Sequence, residues 1–198
     1  NLALSHNITN SLRITYNASN SNLVQNLNKN SNLNNSDLGV FDNFFNIGEP
    51  NYFNQNVTLN YILPFNLIPF LDFIDSSYNY SGDFNWQRGS DMFNNIKSEI
   101  GQVLGRVNTI QNANTQNLTL TLNFDKIYRS IEWLNKNDSS LLEFLKSTKR
   151  LRFNYSENSG KVLPGYIPSI GFLGTTRPSL GFVFGSQADI RYEAAKKG

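Results

Sequence analysis

Apolar and polar side chains alternate through segment after segment of this chain. Leu2, Leu4, Ile8, Leu12, Ile14, Tyr16 and Ala18 alternate with Ser5, Asn7, Thr9, Ser11, Arg13, Thr15 and Asn17. Val57, Leu59, Tyr61 and Leu63 alternate with Asn56, Thr58 and Asn60, and Tyr78, Tyr80, Phe84 and Trp86 with Asn79, Ser81, Asp83 and Asn85. A fourth segment sets Leu118, Leu120, Leu122 and Phe124 against Asn117, Thr119, Thr121, Asn123 and Asp125. Successive side chains of a strand point to opposite faces, so each segment predicts a strand with one apolar and one wet face. Such a strand either covers a soluble core or stands between lipid and a water-filled interior. In the second setting Val57, Leu59, Tyr61, Leu118, Leu120 and Leu122 face lipid. Asn56, Thr58, Asn60, Thr119, Thr121 and Asn123 then line the lumen.

The connections predict an antiparallel meander. Strand one ends near Asn20 and a polar loop runs from Ser21 to about Pro50. The second link, Pro64 to Pro69, is short, with a proline at each end to break the ladder. A third strand from about Ile74 to Gln87 leads into an excursion from Arg88 to Asn114, helical in spacing at Met92, Ile96, Ile100 and Val103. Strand four is expected to run to about Ile127. Long and short links thus alternate over four strands, as they do in membrane β-barrels. A helical insertion near 126–149 follows: Ile127, Ile131 and Leu134 have helical spacing, and Ser140 with Glu143 makes a capping box. A return strand holds Leu151, Phe153 and Tyr155. The basic run Lys146 to Arg152 suits a helix end and a solvated strand face better than acidic lipid headgroups.

Composition narrows the setting. Charged residues are 16% of the 198, aromatics 13%, and 32 residues are Asn, so neutral amides supply the polarity that charge usually provides. A net charge of +2 leaves no nucleic-acid footprint. Cysteine is absent, which excludes disulfides and thiolate metal sites. No stretch approaches the roughly 18 apolar residues of a membrane helix, so any contact with lipid is made by strands. The chain opens at Asn1 directly on strand-like residues, and the expectation is an internal portion of a longer polypeptide.

From Lys161 onward Asn disappears, and Gly and Pro recur between large apolar side chains. Residues 1–160 are therefore expected to form wall strands. Residues 161–198 are expected to form a non-strand segment packed on the barrel or on a partner, with Gly171, Phe172, Gly174, Arg177, Pro178, Gly181, Phe182, Phe184 and Gly185 as its partner or gating residues. An apolar patch shown to an aqueous pore would be a docking site. A structural plug on the inner wall has equal weight.

The run from Leu163 to Glu193, Leu-Pro-Gly-Tyr-Ile-Pro-Ser-Ile-Gly-Phe-Leu-Gly-Thr-Thr-Arg-Pro-Ser-Leu-Gly-Phe-Val-Phe-Gly-Ser-Gln-Ala-Asp-Ile-Arg-Tyr-Glu, resembles the SprA/Sov family, the giant translocon barrel of the Bacteroidota type IX secretion system. Asn85-Trp-Gln-Arg88 and Asn108-Thr-Ile-Gln-Asn-Ala-Asn114 add to the resemblance. It implies an all-β fold, part of a large transmembrane barrel in the outer membrane of a Gram-negative cell. The function it implies is export of folded cargo bearing a C-terminal sorting signal, linked to gliding motility. The implied partners are outer-membrane lipid, a shuttle β-barrel protein, a periplasmic plug protein and the rest of a parent chain.

Catalytic chemistry is sparse, and neither an enzyme nor a cofactor is expected. His6 is the only histidine and lies on the apolar phase of its strand, so a nucleophile–base triad has no other candidate base of that kind. Asp72 and Asp75 suit a turn better than a metal site, and the Gly-rich tail lacks the strand–loop–helix context of a phosphate loop. The second reading is a secreted soluble β-sandwich, an adhesin or glycan-binding protein. Strand length separates the two, since a spanning strand needs roughly 9–11 residues and soluble strands cluster near about 5–6.

Overall fold

The computed structural model describes residues 1–23, 48–68, 70–90, 107–130, 147–170 and 178–197. Six strands form one sheet in chain order: β1 (Leu2–Asn7), β2 (Leu12–Leu23), β3 (Glu49–Leu63), β4 (Ile74–Gln87), β5 (Asn108–Asn123) and β6 (Arg150–Tyr166). Every pairing is antiparallel between sequence neighbours, so the expected meander is what the chain forms. A 3-10 turn (Phe65–Leu67) lies between β3 and β4, and the helices are α1 (Phe124–Ser130), α2 (Leu180–Val183) and α3 (Arg191–Lys197). The expected helix around Met92 to Val103 and the capping box at Ser140 fall outside the described residues.

Three boundaries differ from expectation. The first alternating segment is two strands, not one: the chain reverses at Ile8 to Ser11, where Ile8 and Thr9 donate their backbone N–H groups to the Leu12 carbonyl. A four-residue turn preserves the even–odd phase, so Leu2 and Leu4 share parity with Leu12 and Ile14 and the alternation runs unbroken through the hairpin. Read as a single strand ending near Asn20, that segment would support the membrane reading by its length. That support now rests on β3 to β6, which have 15, 14, 16 and 17 residues.

The strand expected to emerge after Asn114 begins at Asn108, and it ends at Asn123 rather than near Ile127, where α1 has already begun. Its first half was hidden because Asn108, Asn112 and Asn114 occupy the phase that Ile110 marks as inward. The expected boundary at 160 falls inside β6, which continues to Tyr166. Near its end Pro164 pairs with Thr109 and Tyr166 with Asn108, leaving Gly165 as the extra residue of a bulge with φ +87. Glycine adopts that backbone region without steric cost, and the bulge carries the chain over one face of the sheet. Connections 8–11 and 64–73 are short and lie at one end, but 124–149 at the same end is long, so the alternation stops after β5.

The register assigns the faces. Phe53, Trp86, Ile110 and Leu163 share one cross-strand row, and Leu12, Tyr61, Tyr78, Leu118 and Tyr155 another on the same side. We call this the aromatic face. The opposite side, the amide face, carries Arg13, Asn60, Asn79, Asn117 and Ser156 in a single row. The buried core lies on the aromatic face at the end of the sheet where the 24–48 and 88–107 connections leave.

Candidate functional site

The six residues expected to meet lipid and the six expected to line a lumen fall on opposite faces. Val57, Leu59, Tyr61, Leu118, Leu120 and Leu122 stand on the aromatic face; Asn56, Thr58, Asn60, Thr119, Thr121 and Asn123 stand on the amide face. The amide face is knit by short polar side chains. Asn56 donates to the Ser81 hydroxyl (2.9 Å) and to the Asp83 carboxylate (2.8 Å), and Thr58 donates to Asn56 Oδ1 (3.0 Å). Tyr52 donates to Asn85 Oδ1 at 2.8 Å. Cross-strand pairs of this kind stabilise a sheet while leaving its surface wet, and the same face carries Arg13, Asp75, Asp83, Arg150 and Arg152.

The aromatic face is divided. Around Phe53, Phe84, Trp86 and Ile110 it is covered by the segment that follows β6. Ile170, Phe182, Val183, Ile190 and Ala194 complete the core, and the Phe182 ring stands edge-to-face on Phe84 with centroids 6.0 Å apart at 79°. Ser179 caps α2 by accepting the Phe182 N–H at 3.1 Å. The same face then continues through Leu59, Tyr61, Leu63, Leu118, Leu120, Leu122, Phe153 and Tyr155, of which Leu118, Phe153 and Tyr155 are exposed.

Polar side chains of the sheet hold the segment by its backbone. Asn112 Nδ2 donates to the carbonyls of Phe182 (2.9 Å) and Ser186 (2.8 Å), and Asn114 Nδ2 to that of Gly185 (2.7 Å). Trp86 Nε1 donates to the Pro168 carbonyl at 3.2 Å and Asn108 Nδ2 to the Ile167 carbonyl at 3.0 Å. Tyr80 donates to the Phe184 carbonyl and Lys161 to that of Gln187. The last carbonyls of a helix lack intrahelical partners, and here side-chain donors of the sheet satisfy those around the end of α2. These bonds account for the amide nitrogens at inward positions of β5, since a buried donor needs its hydrogen bond made; Asn114 Oδ1 is buried without a partner among the described residues.

Two glycines permit this approach. A Cβ on Gly82 would fall inside the Phe184 carbonyl, and one on Gly185 (φ +92) would lie 2.8 Å from the Tyr80 hydroxyl and 3.0 Å from the Ala113 carbonyl. The Asn85–Arg88 motif feeds the same place: Trp86 is core, and Arg88, its side chain 4% exposed, pairs with Glu49 at 2.8 Å. Thus Asn85–Arg88, Asn108–Asn114 and the segment after Leu163, far apart in sequence, meet at one contact.

Of the expected gating residues, Gly171, Phe172, Gly174 and Arg177 lie outside the described residues. Pro178, Phe182 and Gly185 are buried, whereas Gly181 and Phe184 are exposed. None of the described core residues of the segment packs on the amide side, the face expected to line an interior. They pack on the aromatic side, because Phe182 and Val183 need apolar surface and only that face offers Phe53, Phe84 and Trp86. Sequence reasoning missed as its anchors Gln55, whose Nε2 donates to the Val183 carbonyl at 3.5 Å, and Asn112 and Asn114, although the spacing Asn108-x-Ile-x-Asn-x-Asn114 places the asparagines on one face with Ile110.

His6 lies on an exposed strand at the edge of the sheet, opposite Ile14. Asp72 sits in the turn before β4, where its carbonyl accepts from Lys126 Nζ at 2.6 Å, and Asp75 lies in β4 beside Asn123. Among the described residues no group of three or more His, Asp or Glu side chains is placed to hold a metal. Beyond the sheet, the guanidinium of Arg191, hydrogen-bonded to Asp189 at 2.7 Å, holds that carboxyl well below the usual carboxylate range. No protein-family model matches the chain, and no curated protein matches it.

Proposed function

We propose that this chain is a wall segment of a protein-conducting outer-membrane β-barrel of the type IX secretion kind, as its resemblance to the SprA/Sov family implies. It performs no catalysis and meets lipid with its aromatic face. The amide face lines a water-filled path for folded cargo, and strands of the parent chain continue the wall beyond β1 and β6. The shuttle barrel and the periplasmic plug act on the completed channel. The segment 161–198 touches partners from outside the wall rather than from the lumen.

Strand length carries this reading. A strand of 16 residues at about 3.4 Å per residue is about 54 Å long, and a tilt of about 40° leaves about 42 Å along the membrane normal, against an apolar band about 25 Å tall. The strands therefore have length for the bilayer and for a collar beyond it. The division of the aromatic face into a half covered by its own chain and a half that no described element covers at the exposed Leu118, Phe153 and Tyr155 fits that excess. A soluble sandwich would need a second layer over Leu59, Leu118, Leu120 and Phe153. The amide face also suits cargo transit, because short Asn, Ser and Thr side chains satisfy one another and its strand charges, Arg13, Asp75, Asp83, Arg150 and Arg152, are of both signs.

Paired arginine substitutions in the complete barrel test the reading. Leu120→Arg, on the aromatic face, is expected to cost about 2–4 kcal/mol and to abolish outer-membrane assembly. Its neighbour Thr119→Arg, on the amide face, is expected to assemble and to alter only cargo transit. Equal assembly of both variants, measured as heat-modifiable barrel in outer-membrane fractions, would refute it.

A further inference from the structure

Most charged side chains of the sheet are engaged within the molecule. Arg13 donates to the Ser5 hydroxyl (3.0 Å), and Glu49 pairs with Arg88. Asp83 accepts from Asn56, Asp75 accepts from Asn123, and Lys161 donates to the Gln187 carbonyl. The exceptions stand together on β6. Among the described residues the guanidinium groups of Arg150 and Arg152 have no hydrogen-bond or ionic partner, and Glu157 accepts only from Tyr155 (3.0 Å), a neutral donor.

β6 is also an edge. It pairs with β5 along one side and no described strand lies along the other, so a row of backbone N–H and C=O groups faces outward along a strand of 17 residues. Pro164 and the bulge at Gly165 interrupt this edge only near its Trp86 end. Open backbone is not tolerated in lipid, and a carboxylate among lipid-facing side chains calls for a cation. Glu157 is such a carboxylate, for its row on the aromatic face runs on through Gln116, Tyr80, Leu59 and Ile14. Arg150 and Arg152 lie on the amide face opposite Asn123 and Thr121, so two cations stand side by side along the edge.

We propose that the free edge of β6 receives an antiparallel strand of the parent chain, from outside these 198 residues, that sets two carboxylates opposite Arg150 and Arg152 and a cation opposite Glu157. The inference rests on the barrel-wall reading and gives the chemistry of the neighbour that continues the wall. Cross-strand neighbours share a face, and opposite charges so placed stabilise the pair. In an antiparallel partner the pattern reads as a Lys or Arg followed five and seven residues later by Asp or Glu, the spacings of Glu157 from Arg152 and Arg150. Odd spacings put the cation on the aromatic face and both carboxylates on the amide face. A second copy of this chain does not supply that pattern. Pairing β6 with itself brings Arg150 and Arg152 against amide-face residues of β6, none of them acidic, and β1 at the opposite edge carries no Asp or Glu.

The test uses the complete barrel in isolated outer membranes, with photoreactive benzoylphenylalanine in place of Ser156, on the amide face between the charges. The cross-linked peptide is then sequenced. The expected capture is a segment of the same chain, outside residues 1–198, with the cation and the two carboxylates at those spacings. Capture of a same-chain segment without them, of a second copy, or of no peptide overturns the inference. The same probe at Leu120 reads the wall separately: lipid adducts there uphold the wall reading whatever position 156 captures, and their absence removes both. Charge reversal separates docking from simple protection of the edge. Arg150→Glu with Arg152→Glu is expected to lose heat-modifiable barrel, and substituting Arg for the two captured carboxylates to restore it. Unchanged assembly of the reversed barrel would show that the arginines only keep the edge from other chains, and would overturn the inference. Should the probe at Ser156 prevent assembly, Asn158 on the same face takes it.

Discussion

Phe182→Ala tests whether the C-terminal segment is held on the sheet by packing. The Phe182 side chain is fully buried, edge-to-face on Phe84, which in turn meets Phe53 at 6.3 Å. Truncating a buried Phe to Ala costs about 3–5 kcal/mol including the cavity, of which the ring pair supplies about 0.5–1.5 kcal/mol. The carbonyl hydrogen bonds from Asn112 and Asn114 survive the change, each worth about 0.5–1.5 kcal/mol net. The sheet itself keeps its ladder, so the loss falls on local opening of the segment. At about 1.4 kcal/mol per factor of ten, a loss near 4 kcal/mol raises that opening about a thousandfold. Hydrogen exchange reads it directly at the amides of Phe184, Gly185 and Ser186, which donate to carbonyls of Leu180, Gly181 and Phe182. Exchange there is expected to accelerate by about that factor, while β4 and β5 change little. Phe184→Ala, at a 41% exposed site, is expected to stay within about 1 kcal/mol. Changing both phenylalanines at once would mix a core defect with a surface one. Unchanged protection in Phe182→Ala, or loss spread evenly over β3 to β5, would refute the claim that this side chain pins the segment.

Two further outcomes follow from the same contact. Gly185→Ala is expected to lower the melting temperature, because the left-handed backbone costs an ordinary residue about 1–2 kcal/mol and the new methyl group would meet the Tyr80 hydroxyl and the Ala113 carbonyl; an unchanged melting temperature would show that the segment yields freely. Asn112→Leu removes the donor from two carbonyls in the covered half of the sheet and is expected to cost about 1–3 kcal/mol for each one left unsatisfied. Asn56→Leu on the open amide face, where water replaces the lost partners, is expected to cost less, and denaturant midpoints that rank the two variants the other way would refute the account of the inward amides.

The alternation of Val57, Leu59 and Tyr61 with Asn56, Thr58 and Asn60, and its echo at Leu118 to Asn123, determined the sheet, its antiparallel order and the membership of its two faces. Period-two side chains leave no other arrangement in which one chemistry stays together. The shift in texture after Lys161 likewise signalled a segment that must be packed against something. The hairpin at Ile8 to Ser11 was not legible, because a four-residue turn leaves parity intact, nor was the start of β5, because its inward positions are asparagines. Those asparagines have meaning only in the tertiary structure, where β5 lies beneath the end of α2 and its amides meet carbonyls some seventy residues away in the chain. Which face receives the segment was also decided there. Glycine and phenylalanine in the sequence say that a surface is needed, but only the row of Phe53, Trp86 and Ile110, assembled from three strands, supplies one. A local pattern fixes which side chains share a face. What covers that face depends on contacts between residues that the pattern does not relate.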